Sequence, residues 1–189
     1  MASLNLSLLA PNVDSSRLTD ISRYINKYAR KFGITTPKRM AGFVAQAVHE
    51  SDGFKALKEY GPDSYFKKYE FNKGLGNNVA GDGLKFKGRG IFQTTGRANY
   101  AQYSKLIFGD ERLLDNPEIL EQPEYAVLSA MHFWDQRKLN KEADVMDVNK
   151  ISQKINGGKK GRAERIKLYN QAIKMLGVKT SSIKGFLQY

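Results

Sequence analysis

Thr36-Pro37-Lys38-Arg39-Met40-Ala41-Gly42-Phe43-Val44-Ala45-Gln46-Ala47-Val48-His49-Glu50-Ser51 reads as a helix with a marked start, and it ends on a carboxylate. Thr36 suits the N-cap, and Pro37 suits the first helical position, where no amide hydrogen is needed. Met40, Phe43, Val44, Ala47 and Val48 recur at helical spacing, so one face belongs to a core. With Met40 at zero and about 100° per residue, that stripe runs from about −60° to about +80°, and Glu50 falls at about −80°, on its edge. A carboxyl there is partly desolvated. It also lies in the last turn, where the helix dipole is negative. Both effects disfavour ionisation, as a general acid requires. The plain alternative is a solvated glutamate at a helix end. His49 falls on the opposite side and reads as structural.

Upstream, Leu18, Ile21, Ile25, Tyr28 and Phe32 predict another helix, stopped at Gly33. Downstream the pattern changes. Residues 52–98 carry glycine at 53, 61, 74, 76, 81, 83, 88, 90 and 96, interleaved with aromatics from Phe54 to Phe92, and no helical period runs through them. Loops are expected here, with a short β-hairpin around Lys85 to Gln93. So many aromatics argue against disorder, and a long irregular stretch in a compact domain is usually functional. Helices then resume. Tyr100, Tyr103, Leu106 and Ile107 form one apolar face, and Pro123 opens a helix carrying Val127, Ala130, Met131 and Trp134. Val145, Val148, Ile151 and Ile155 mark another, closed by Asn156-Gly157-Gly158. A last helix runs from about Arg162 to Leu176, with Ile166, Tyr169 and Ile173 inward, and stops at Gly177. The expected architecture is mainly α, one domain over residues 1–189, without a separate binding module. The tail from Val178 to Tyr189 shows no clear element.

Composition narrows the partners. Lys and Arg total 31 against 19 Asp and Glu, a formal charge of +12. Nucleic acid, an anionic membrane face and an anionic cell-wall polymer all fit such a charge. The basic residues are spread along the chain, with the densest cluster at Lys159-Lys160-Gly161-Arg162. The aromatics sit among glycines and amides rather than alternating with Lys and Arg, and no helix-turn-helix or finger spacing appears. Both points argue against a nucleic-acid-binding module. There is no cysteine, which excludes disulfides and thiolate metal sites, and with His49 and His132 alone a zinc site would need mostly carboxylates. No metal or cofactor is expected. No run reaches the roughly 18 apolar residues of a membrane span. Met1 to Pro11 lacks the basic start of a signal peptide, so synthesis in a cytoplasm is expected.

Cleaving a polar polymer with an acid such as Glu50 calls for a second carboxylate. Asp52, Glu59 and Glu70 are the candidates. On one continuous helix Glu59 would lie on the opposite face from Glu50, with about 13.5 Å of rise between them. It serves only if the chain leaves the helix near Ser51 to Gly53 and doubles back. Glu70 would reach back through a loop. In Gly88-Arg89-Gly90-Ile91-Phe92-Gln93-Thr94-Thr95-Gly96-Arg97-Ala98-Asn99-Tyr100 the glycines allow a ligand close to the backbone. Gln93, Thr95 and Asn99 offer neutral donors and acceptors suited to sugar hydroxyls and acetamido groups, and Thr95 can hold a water. The Walker spacing of a phosphate loop is missing.

Phe43 to Phe54, Gly81 to Tyr100 and Ile155 to Gly158, in this order, together resemble glycoside hydrolase family 19, and within it the phage endolysins and related bacterial peptidoglycan hydrolases. The resemblance implies a lysozyme-like helical fold with a cleft between two lobes, and an inverting mechanism without cofactor. It places the acid on Glu50, the second glutamate on Glu59 and the water-holding hydroxyl on Thr95. Glu70 stays open as an alternative base. Sugar binding falls on Gln93, Asn99 and Asn156, with Arg89 and Tyr100 from the same run. The segment between Phe54 and Gly81 is shorter than in plant chitinases and lacks their cysteines, and Phe92 stands where isoleucine is usual. The implied substrate is the β-1,4-linked glycan of peptidoglycan, approached by a cationic monomer that needs neither nucleic acid nor a membrane span. The implied course is synthesis in a host cytoplasm, release through a holin, and action on the wall during lysis. A lytic transglycosylase and a chitinase on the same scaffold are the competing activities.

Overall fold

The computed structural model describes residues 4–158 and 161–178. Lys159-Lys160 of the basic cluster and the tail from residue 179 lie outside the described residues. The chain forms α1 (Ser15–Tyr28), α2 (Pro37–Glu50), α3 (Asp63–Phe66), α4 (Asp82–Lys85), α5 (Arg97–Phe108), α6 (Arg112–Asp115), α7 (Pro123–Gln136), α8 (Leu139–Asp144), α9 (Val148–Asn156) and α10 (Arg162–Met175). Short 3-10 turns join them. Among the described residues, β structure is limited to the isolated bridges Lys58–Arg89 and Arg89–Thr94. The mainly α expectation therefore holds, and the hairpin around Lys85 to Gln93 shrinks to one pair of residues. Asp82 to Lys85 is helical instead.

α2 is the central element. Thr36 Oγ1 accepts the Arg39 amide at 3.2 Å with Pro37 following, and every residue from Met40 to Val48 is buried. α8, α9 and α10 pack on it, while α1 packs on α7. Phe43 meets Trp134 edge to face at 5.5 Å. Gly42 lies under the same indole, and a Cβ there would approach Trp134 and Ala143 to 3.3 Å. Each fully buried side chain of this size contributes about 1.5–3 kcal/mol. A separate apolar cluster of Phe86, Tyr100, Tyr103, Leu113 and Leu120 organises α5, α6 and the glycine-rich segment.

Several boundaries move. α1 ends at Tyr28, because the Phe32 and Gly33 amides bond only three residues back, in tight turns. Phe32 is nevertheless buried. Val145 is 72% exposed and precedes its helix, which begins at Val148 because Asp147 caps it through the Lys150 amide at 2.9 Å. Leu106, expected inward, is 41% exposed. Residues 52–98 contain α3 and α4, single-turn elements too short to display a period. Side chains hold that segment. Buried Asp82 accepts the Asn78 and Val79 amides and pairs with Arg97 at 2.6 Å, which keeps its carboxyl below the usual range. No helix of the described residues is long and apolar enough to cross a membrane.

Candidate active site

Glu50 is the last residue of α2, and the chain reverses directly after it. Ser51 Oγ donates to the Ala47 carbonyl at 2.6 Å and accepts the Phe54 amide at 2.9 Å. Asp52, Gly53 and Phe54 all have positive φ, a run of left-handed backbone that turns the chain back on itself. The doubling back that Glu59 requires is thus built locally. Leu57 to Glu59 then runs beside Gly88 to Gly90: the Gly90 amide donates to the Leu57 carbonyl at 2.9 Å, and the Glu59 amide to the Gly88 carbonyl at 2.8 Å.

The Glu59 carboxylate is fixed at both oxygens. Oε2 accepts the Gly88 amide at 3.2 Å, Oε1 accepts the Tyr69 hydroxyl at 2.9 Å, and Lys68 Nζ stands 3.6 Å from Oε1. Burial first, and then the bond to Glu59, hold the Tyr69 phenol above its ordinary value. Gly88 is a position where the missing side chain matters. A Cβ there would lie 2.8 Å from Gln93 Oε1 and 3.3 Å from Glu59 Oε2.

Gln93 has φ +51, a left-handed position for a residue with a side chain. Its Nε2 donates to the Ala56 and Gly90 carbonyls at 3.2 and 3.0 Å, which ties the turn to the segment before Glu59. Thr95 Oγ1 donates its proton to the Gln93 carbonyl at 2.9 Å. The hydroxyl oxygen therefore faces any water as an acceptor, and leaves that water's lone pairs free. Asn99 Nδ2 donates to the Thr95 carbonyl at 2.7 Å.

Arg89 and Tyr100 occupy a different layer from the one expected of sugar-contacting residues. Tyr100 is fully buried and Arg89 nearly so. Arg89 bonds Glu121 Oε1 at 2.8 Å, the Lys85 carbonyl at 2.7 Å and the Tyr100 hydroxyl at 3.0 Å, and Tyr100 donates to the Lys87 carbonyl at 2.6 Å. These bonds tie the turn to Lys85, Lys87 and Glu121, so both side chains brace it. Burial pushes the Tyr100 phenol well above its ordinary value. Asn156 stands exposed at the end of α9, its Oδ1 accepting the Gly158 amide at 2.9 Å.

Glu70 is committed elsewhere. Its oxygens accept the Gly81 amide at 3.1 Å and the Gly83 amide at 3.0 Å, so it acts as the anion at the start of α4. Asp52 is exposed at the turn after α2.

One residue of the site escaped the sequence reading. Arg165, in the first turn of α10, is 2% exposed. Its Nη2 donates to Glu50 Oε1 at 2.5 Å, and its Nη1 donates to Gln46 Oε1. Among the described residues Glu50 Oε2 takes no hydrogen bond. Beside this pair, His49 Nδ1 lies 2.9 Å from Glu164 Oε2, so the last turn of α2 meets the first turn of α10 at consecutive positions. The available signal was spacing: Arg165 shares the stripe of Leu168, Tyr169, Ala172 and Ile173, and a charge on a buried stripe needs a partner.

The arrangement provides two carboxyls on separate elements, a hydroxyl acceptor and amide groups from one turn. A "Glycosyl hydrolase family 19 domain-containing protein" of Haemophilus influenzae is 32% identical over 173 residues, covering 77% of this chain and 84% of that protein. The crystal structure of chitinase C from Streptomyces griseus superposes with a TM-score of 0.70 at 22% identity, over 93% of this chain and 76% of that one. A class IV family 19 chitinase from Zea mays gives 0.61 at 19% identity, over 93% and 88%. No protein-family model matches the chain. The similarity to the Haemophilus protein settles the family and the superpositions agree on the fold: the chain belongs to glycoside hydrolase family 19 and is a chitinase-like glycoside hydrolase.

Proposed function

We propose that this glycoside hydrolase cuts β-1,4 bonds in the glycan strands of bacterial peptidoglycan, with inversion, as an endolysin that opens the host wall. Residues 1–189 act as one catalytic domain. Glu50 is the acid. Arg165 occupies Oε1, so Oε2 carries the proton and gives it to the glycosidic oxygen as the bond to the anomeric carbon breaks. The carboxylate left behind gains its charge beside a guanidinium that is already in place, an electrostatic gain realised as the reaction proceeds. Glu59 is the base. It takes a proton from a water whose other hydrogen is held by Thr95, and the water oxygen bonds to the anomeric carbon from the far face. Inversion requires the two carboxyls to stand roughly 6.5–9.5 Å apart, leaving room for that water. Gln93, Asn99 and Asn156 bind the sugars.

The observation that carries this reading is that Glu59 is held by the Gly88 amide, at the start of the turn in which Gln93 is tied to Gly90 and which also presents Thr95. Glu70, with its oxygens on the Gly81 and Gly83 amides, has no such setting, which supports Glu59 as the base. The net charge of +12 supports an anionic wall as the target surface.

Chitin hydrolysis is the second reading, favoured by the chitinases among the superposed structures. Digestion of purified peptidoglycan and of chitin oligomers, with product mass spectrometry and anomer-resolved NMR, tests both. The expected products are reducing muropeptides released as the α anomer. Products ending in a 1,6-anhydro ring would mean transglycosylation, and cleavage confined to chitin would sink the peptidoglycan reading.

A further inference from the structure

A recess of about 170 Å³ is lined by Gln93, Thr95 and Asn99 together with Tyr103, Phe133 and Arg137. It is smaller than the roughly 300 Å³ at which pockets begin to enclose whole small molecules. It suits a substituent on a bound sugar rather than a ring of the chain. No carboxylate is among its lining residues.

Arg137 caps the C-terminus of α7 and is held from two directions. Its guanidinium lies 3.6 Å from the centre of the Phe133 ring, and its Nε donates to the Lys154 carbonyl at 3.1 Å. Phe133 in turn meets Phe92, the neighbour of Gln93, edge to face at 5.1 Å. Among the described residues, Nη1 and Nη2 of Arg137 take part in no hydrogen bond or ion pair. A guanidinium oriented in advance loses little freedom on binding, and its free fork matches a carboxylate with two parallel hydrogen bonds. The Arg165 fork, by comparison, is already spent on Glu50 and Gln46.

We infer that Arg137 is a specificity residue that takes a carboxylate carried by the glycan, so that the cleft prefers carboxylate-bearing aminosugars to neutral ones. The inference rests on the peptidoglycan reading for its substrate class. A strand of N-acetylglucosamine alone has no carboxylate to offer. A muramic residue has one, either on its lactyl ether or, where that is amidated, on the attached peptide. The shared chemistry is the carboxylate; the two positions are separable by ligand.

The test is equilibrium binding to the full chain, by NMR titration, of N-acetylglucosamine, N-acetylmuramic acid and N-acetylmuramoyl dipeptide. At least one of the two acidic ligands should bind about tenfold tighter than N-acetylglucosamine, and the tighter one identifies the carboxylate. In Arg137→Gln that ratio should fall to within about twofold, and Arg137→Lys should restore part of it. The wild-type ratio should also shrink as salt is raised, which keeps the test decisive if a variant fails to fold. Equal affinity for all three ligands, or one common loss across them in Arg137→Gln, overturns the inference. Retained preference without peptidoglycan cleavage sinks the functional reading and leaves Arg137 as assigned. Cleavage without preference sinks Arg137 alone.

Discussion

Arg165 Nη2 and Glu50 Oε1 lie 2.5 Å apart, and the guanidinium that makes this contact is 2% exposed. A cation so placed needs the carboxyl as much as the carboxyl needs it, because an unpaired buried charge is costly. The pair joins α2 to α10, and it leaves the other Glu50 oxygen without a hydrogen bond among the described residues.

Glu50→Gln should lower kcat by about 100- to 10,000-fold, the range for removing a general acid. The glutamine oxygen still accepts from the Arg165 guanidinium, and the amide is neutral like the protonated acid, so the variant should fold with a stability change of no more than about 1–2 kcal/mol. Clearing of permeabilised cells and chemical denaturation measure the two effects. Wild-type turnover in Glu50→Gln would remove Glu50 from the mechanism.

Glu59→Gln and Glu70→Gln should separate by kind of loss. The first should cost about 100-fold or more in kcat with a small change in Tm. The second should cost about 1–3 kcal/mol of stability, since two backbone amides lose a charged acceptor, with a far smaller fall in rate. A larger kinetic loss in Glu70→Gln would exchange the two assignments.

Gly88→Ala probes the frame itself. The new methyl meets Gln93 Oε1 at 2.8 Å, the end of a flexible side chain, so the fold can adjust. The adjustment displaces Gln93 and crowds Glu59, and misplacing a catalytic group by about 1 Å costs up to about 100-fold. Parallel measurement of kcat and Tm should show the rate falling while Tm changes by only a few degrees. Unchanged kinetics would mean that the Gly88 contact does not position the base.

Asp82 predicts an acid-dependent loss of stability. Its carboxyl is held below the ordinary value of 3.8, chiefly by the Arg97 hydrogen bond. A depressed carboxyl contributes its full stabilisation above the unfolded-state value and loses it as pH falls through the folded one. Asp82→Asn should therefore cost about 3 kcal/mol at neutral pH, and its Tm should converge with wild type as pH drops below about 3.8. Melting curves from pH 7 to pH 2 test this; a constant gap down to pH 2 would contradict it.

The charge of +12 predicts salt-sensitive attachment to the wall. Binding to purified sacculi should weaken severalfold between about 0.01 and 0.5 M salt, as the screening length contracts from about 30 Å to a few ångströms. Sedimentation of the protein with sacculi measures it. Salt-independent binding would assign attachment to the cleft rather than to overall charge.

The sequence by itself determined the elements long enough to show a period: α2, capped by Thr36 and ending at Glu50, α7 opening at Pro123, and α10 closing before Gly177. It also marked Glu50 at a helix end and the glycine-rich run as the place for polar contacts, because capping chemistry and glycine content are local properties. The single-turn helices α3 and α4 were hidden, since one turn has no period and their support comes from Glu70 and Asp82 at a distance in the chain. The pairing of Arg165 with Glu50 spans 115 positions. Arg89 and Tyr100 stand in the same polar run as Gln93, Thr95 and Asn99, and only the tertiary packing shows that they are buried. Glu59 and Glu70 have identical side chains, and which one stands beside Gly88 and which caps α4 was decided by the backbone that each met after the fold closed.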